Sequence, residues 1–174
     1  MLDSVKLLGF CICFLAIMSS STAQKGLQTI LKEHDFVDTA GNKQSLKDII
    51  DAEAGKVIYI DLWASWCVPC RKEFPYSLEL QENLKDQPIS FIYLSLDDGD
   101  AVWRKAMAKL NVEDKGQHYR RKRKEAMPLL QFFYIYSIPH YLIINKQGIP
   151  INRDALPPSD PRLMRQLRKW IKKK

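Results

Sequence analysis

Glycine and proline are sparse, at 7 and 9 in 174 residues, and no unit of about 20–50 residues repeats, which excludes collagen, low-complexity linkers and solenoids. Long apolar runs are missing as well. The longest, residues 7–18, has 12 positions, short of the ~20 a spanning helix needs. With 46% hydrophobic and 27% charged residues, the chain is too polar for a multi-span membrane protein and suits one packed domain. Acidic charge is in deficit, for a net charge of +7, which favours acidic partners or anionic surfaces but says nothing of fold. Cysteine is limited to four, and only Cys67 and Cys70 lie beyond the first apolar run.

That run has the form of a secretory signal. Lys6 is its basic flank, offset by Asp3, and Ser21, Thr22 and Ala23 supply small residues for cleavage after Ala23. Residues 1–23 are therefore expected to leave as a signal peptide and 24–174 to form the mature domain. The alternative is an uncleaved anchor. Cys11 and Cys13 sit mid-run and read as apolar filler. The mature chain keeps one cysteine pair in an oxidising compartment. Three residues of separation close too small a loop to gain much as a staple, so a reactive pair is expected.

Residues 28–37 read as an edge strand or extended arm. A turn at 39–42 then leads to Ser45, an N-cap for a helix over 46–52 that Gly55 stops. The run KVIYIDLW, 56–63, predicts a strand buried on both faces and interrupted by one acid, Asp61. Phe74, Leu78, Leu80 and Leu84 predict a helix over 68–84 kinked by Pro75. A second buried strand over 89–96, a capped turn at 97–100 and a helix over 101–110 follow. Strand, helix, strand, helix implies a parallel core. Residues 111–123 are polar, and 127–136 predict a short helix. Strands at 141–145 and 148–152 flank a turn with Gly148, closing the sheet antiparallel. Pro161 opens a last helix that buries Leu163, Leu167, Trp170 and Ile171.

The chemistry concentrates in Trp66-Cys67-Val68-Pro69-Cys70, where a buried strand hands over to a helix, the setting in which C-x-x-C reads as a redox dithiol. Cys67 meets the positive end of the helix dipole and unsatisfied N–H groups, which favour thiolate, so it is the expected attacking sulfur. Cys70, one turn in, resolves the mixed disulfide. A zinc half-site lacks a second C-x-x-C or a His pair to complete four ligands.

The segment from Asp61 to Pro75 (DLWASWCVPCRKEFP), then Ser137-Ile138-Pro139, then LIINKQG over 142–148, resembles the thioredoxin superfamily and, within it, the TlpA/ResA-type extracytoplasmic disulfide reductases. The resemblance covers about residues 36–170 and extends to the stretch DALPPSD over 154–160. It implies an α/β thioredoxin-like fold, a central mixed sheet flanked by helices, with a helical insertion in the long segment between Cys70 and the strand that follows Pro139. It also implies a cis peptide before Pro139 facing the dithiol, and an Ile138 backbone that, with Trp66, holds a substrate strand.

On the same resemblance, Asp61 aligns with the buried acid under the second cysteine, a proton acceptor for Cys70, and Glu73 with a family glutamate that shares this work. Many chains of this type carry an amide at the Asp61 position, so carrying both acids is a departure. His140 stands where thioredoxins often have Thr and reads as a strand residue. The implied protein is a periplasmic thiol-disulfide oxidoreductase reducing disulfides of secreted or membrane-associated proteins. It would need no metal or cofactor beyond the Cys67–Cys70 pair and would be recharged by a membrane thiol relay. The alternatives are a disulfide oxidase using the same residues, or a copper-binding or non-catalytic module using the cysteines with His140 or His118. No nucleic-acid partner is expected. The basic run Arg120, Arg121, Lys122, Arg123 and Lys124 reads as a solvated face, with membrane-surface contact as its alternative use.

Overall fold

A computed structural model describes residues 35–122 and 128–173. The expected signal segment, all but residues 35–37 of the 28–37 arm, and Arg123 and Lys124 of the basic run lie outside the described residues. The chain opens with β1 (Phe36–Asp38) and β2 (Lys43–Gln44). The helix α1 (Leu46–Asp51) follows. The Ser45 hydroxyl accepts from the Asp48 N–H at 3.1 Å, and the Asp48 carboxylate accepts from the Ser45 N–H at 3.0 Å, a reciprocal cap.

The core is built on β3 (Val57–Trp63), whose seven residues are all buried as their apolar, β-branched and aromatic composition predicts. The next elements are α2 (Val68–Asn83), β4 (Ile89–Ser95), α3 (Asp100–Leu110), β5 (Gln117–Arg121), α4 (Pro128–Phe132), β6 (His140–Ile144), β7 (Pro150–Asn152) and α5 (Arg162–Lys172). Helix α2 runs through Pro75, which is solvent-exposed. Among the described residues the strands form one sheet in the order β2-β1-β5-β4-β3-β6-β7, with β3, β4 and β5 parallel and their outer neighbours antiparallel.

The polar stretch 111–123 hides a strand. In β5, QHYRR, His118 and Tyr119 are buried and each polar side chain has at least one partner inside the fold. His118 Nε2 lies 2.7 Å from the Val112 carbonyl, Arg121 pairs with Asp98, and Arg120 lies 4.0 Å from Asp100. Two cations of the basic run are thus half-buried strand residues, not a free solvated face. The expected helical content between Cys70 and Pro139 is present as α3 and α4, with β5 between them. Gly116 makes the turn into β5 at φ +76°, where an added Cβ would lie 2.8 Å from both the Phe91 carbonyl oxygen and the Tyr93 ring. In α5, Leu163, Leu167 and Ile171 are buried as expected, whereas Trp170 is only half-buried, its ring beneath Lys173 Nζ at 4.6 Å.

Candidate active site

The loop after β3 delivers Cys67 to the N-cap of α2, with the Cys67 N–H donating to the Ala64 carbonyl at 3.0 Å. Cys67 and Cys70 are joined as a disulfide, Cα atoms 5.3 Å apart, and Cys67 Sγ also accepts from the Cys70 N–H at 3.2 Å. Cys67 Sγ thus sits at the N-cap, where the N–H groups of the first helical turn stabilise negative charge. Both cysteines are buried, yet Trp66 beside them is 64% exposed and Val68 is exposed too. The mouth of the site is therefore apolar and open to solvent.

Cys70 and Phe74, one turn apart, are buried on the same side of α2 and face the sheet. Phe74 packs edge-on against Trp63 at 4.9 Å and stacks on Tyr93 at 5.3 Å, which identifies the sheet face that α2 covers. On that face the strand registers set a row across four strands: Tyr141, Asp61, Tyr93 and His118.

Asp61 is 1% exposed, and neither carboxylate oxygen has a hydrogen-bond partner among the described residues. Burial, and secondarily the negative charge of Glu73, push its carboxyl well above the usual carboxylate range. Burial likewise raises the Tyr141 and Tyr93 phenols, with the charge of Asp61 adding to both.

Glu73, half-buried one turn beyond Cys70, is held differently. Its two oxygens accept from the Ser159 hydroxyl and the Ser159 N–H, each at 2.9 Å. The partner is thus the loop before α5. The Ile138–Pro139 peptide is cis. His140 follows it opposite Leu62, so Pro139 lies at the end of the sheet where β3 passes into the cysteine loop. Ile138 and Pro139 are half-buried.

Asp97 was legible in the sequence only as a turn residue, yet it holds the cysteine loop. It is buried, with Oδ2 accepting from the Ser65 N–H at 2.9 Å and the Ser95 hydroxyl at 2.8 Å, and Oδ1 from the Ser65 hydroxyl at 2.6 Å. Its position just past the end of a central parallel strand is the signal that could have found it, because sites in such sheets gather at strand carboxyl ends.

Among the described residues, with Cys67 and Cys70 oxidised, no three His, Cys, Asp or Glu side chains are grouped to hold a metal. His140 Nε2 lies 2.7 Å from the Arg153 carbonyl, and His118 Nε2 is shared between the Val112 and Lys115 carbonyls.

Residues 55–149 match a family model described as thioredoxin-like. A thiol-disulfide oxidoreductase ResA of Bacillus thuringiensis (strain Al Hakam) is 33% identical over 116 residues, 64% of this chain and 59% of that protein. A protein of the same name from Bacillus subtilis (strain 168) is 24% identical over 142 residues, 79% of this chain and 74% of its own. The chain thus spans only 59% of the length of the first of these relatives. Among solved structures, the thioredoxin domain of a thiol-disulfide oxidoreductase from Bacteroides vulgatus superposes with a TM-score of 0.67 at 23% identity, covering 79% of this chain and 91% of that one. Identity this low speaks to the fold alone.

Proposed function

The chain belongs to the thioredoxin-like family, and from that premise we propose that it is an extracytoplasmic thiol-disulfide oxidoreductase that reduces disulfides of secreted or membrane-associated proteins. The carrying observation is the Cys67–Cys70 disulfide at the N-terminus of α2 above a sheet face that holds a buried, unpartnered Asp61. The names of the ResA relatives support the same activity, and the apolar run over 7–18 supports export.

In the reduced protein, Cys67 thiolate attacks one sulfur of a substrate disulfide lying along Ile138 and beside Trp66. A Cys67–substrate disulfide forms and the first substrate thiolate leaves. Cys70 then gives its proton to Asp61 and attacks Cys67 Sγ. The Cys67–Cys70 bond forms, the second substrate thiolate leaves, and two electrons have passed to the substrate.

Asp61 is the acid suited to this step. Its oxygens have no hydrogen-bond partner among the described residues and its proton affinity is raised, whereas both Glu73 oxygens are engaged by Ser159. Glu73 acts on Asp61 through its charge. A dithiol donor, expected to be a membrane thiol relay, returns the two electrons.

The test is insulin reduction followed by turbidity, with dithiothreitol as donor. The wild type accelerates precipitation and Cys67→Ser does not; activity retained in Cys67→Ser sinks the mechanism. Electron direction is read from the reduction potential. A value near the roughly −270 mV of thioredoxin supports a reductase, and one near the roughly −120 mV of DsbA makes the protein a disulfide donor.

A further inference from the structure

Of the cations of the basic run that the structure describes, two are paired within the fold. Arg120 and Arg121 are tied to Asp100 and Asp98. On α5, by contrast, Arg165, Arg168, Lys169 and Lys172 are all exposed and form no ion pair with any described residue. At 100° per residue these four fall on one side of the helix, opposite the buried Leu163, Leu167 and Ile171. No acidic residue occurs anywhere in α5. Arg165, Arg168, Lys169 and Lys172 line a shallow trough with Met164 and Pro161. The half-buried Trp170, capped by Lys173, flanks the strip at the far end.

We propose that this outer face of α5 is a docking surface for an anionic phospholipid membrane. Four long, flexible cations over a helix of 11 residues, roughly 16 Å long, with no acid among them, match a flat, uniformly negative plane better than a protein surface. A protein partner would be recognised by mixed charge and a central aromatic anchor, and the exposed side of this helix carries neither. Trp170 and Lys173, at the C-terminal end of the helix, lie beside Asn145, Lys146 and Gln147, at the end of the sheet opposite the cysteine loop, while its first residues follow the loop that Ser159 ties to Glu73.

The test uses the full chain and vesicles of phosphatidylcholine with or without about 30% phosphatidylglycerol, at about 0.15 M salt. Any binding through the apolar N-terminal run occurs on both vesicles and cancels in the ratio of the two partition coefficients. The expected result is preferential partitioning onto the anionic vesicles. Arg165→Gln with Lys172→Gln should cut that preference ~25-fold, about five-fold per cation. Lys105→Gln with Lys109→Gln on α3 removes the same charge and should cut it no more than a few-fold. Circular dichroism and insulin reduction check that all variants are folded.

Equal losses in the two double variants would reduce the effect to net charge and overturn the proposal. So would the absence of any preference for anionic vesicles. Binding to polyglutamate that depends on α5, without binding to vesicles, would assign the surface to an acidic protein instead.

Discussion

Replacing Asp61 by Asn tests the proton step and the physical argument behind it together. The native carboxyl is buried with both oxygens unpartnered, and burial first, then Glu73, raises its proton affinity above that of the unfolded chain. The folded state therefore holds the proton more tightly than the unfolded state. The stability this gives is fully present below the unfolded pKa, about 3.9, and is lost as pH rises through the higher folded value. Above both values the loss is about 1.4 kcal/mol for each tenfold difference in proton affinity between the states. Asn has nearly the same shape and cannot ionise, so it escapes this loss. Urea unfolding of the oxidised proteins between pH 4 and pH 8 should show Asp61→Asn more stable than wild type at pH 8, with the gap closing as pH falls. On the proposed mechanism Cys70 loses its proton acceptor in the same variant. Mixed disulfides formed at Cys67 should accumulate, and the resolving step should slow by about 10² or more at pH 7. If Asp61→Asn keeps both the wild-type pH dependence of stability and the wild-type resolving rate, the buried acid does neither job and the proton leaves by another route.

Three further predictions follow from the same geometry. Gly116→Ala sets a Cβ 2.8 Å from the Phe91 carbonyl and the Tyr93 ring at φ +76° and should cost about 1–3 kcal/mol in denaturant unfolding. Asp97→Ala strips three hydrogen bonds from the cysteine loop and its neighbour and should cost about 3 kcal/mol; a double-mutant cycle with Ser65→Ala should return a coupling of about 1–3 kcal/mol. Burial lowers the pKa of His118, so its contribution to stability is present above the unfolded value near 6.5 and lost as pH falls below it. His118→Phe keeps the stack on Tyr93 at 4.7 Å and should flatten the stability profile between pH 7 and pH 5, as measured by urea unfolding.

The central strands were legible because their sequences leave few choices. VIYIDLW and ISFIYLS are apolar enough to be buried on both faces, and the Ser45 cap and Pro161 mark helix starts by residue type. Strand β5 was hidden because its burial depends on partners far away in sequence. Gln117 reaches Glu53 and Arg121 reaches Asp98, and neither contact leaves a periodic signal in QHYRR. For the same reason the charge run misled: a cation is free or paired according to what the fold places opposite it.

The three carboxylates around the cysteine helix show how far residue type falls short of role. The sequence offers Asp61, Glu73 and Asp97 as similar acids. In the fold they are separated by the number of donors each one meets. Asp97 meets three and anchors the loop that carries Trp66 and Cys67. Glu73 meets two, both from Ser159, and ties α2 to the loop before α5. Asp61 meets none. A carboxylate whose lone pairs are filled is a fixed point of structure, whereas one that is buried with empty lone pairs is stabilised chiefly by taking up a proton. On the proposed mechanism the first two acids hold the dithiol in place and the third exchanges a proton with it, so Ser159→Ala, which removes the hydroxyl donor of Glu73 and leaves the backbone one, should leave the resolving rate much closer to wild type than Asp61→Asn does.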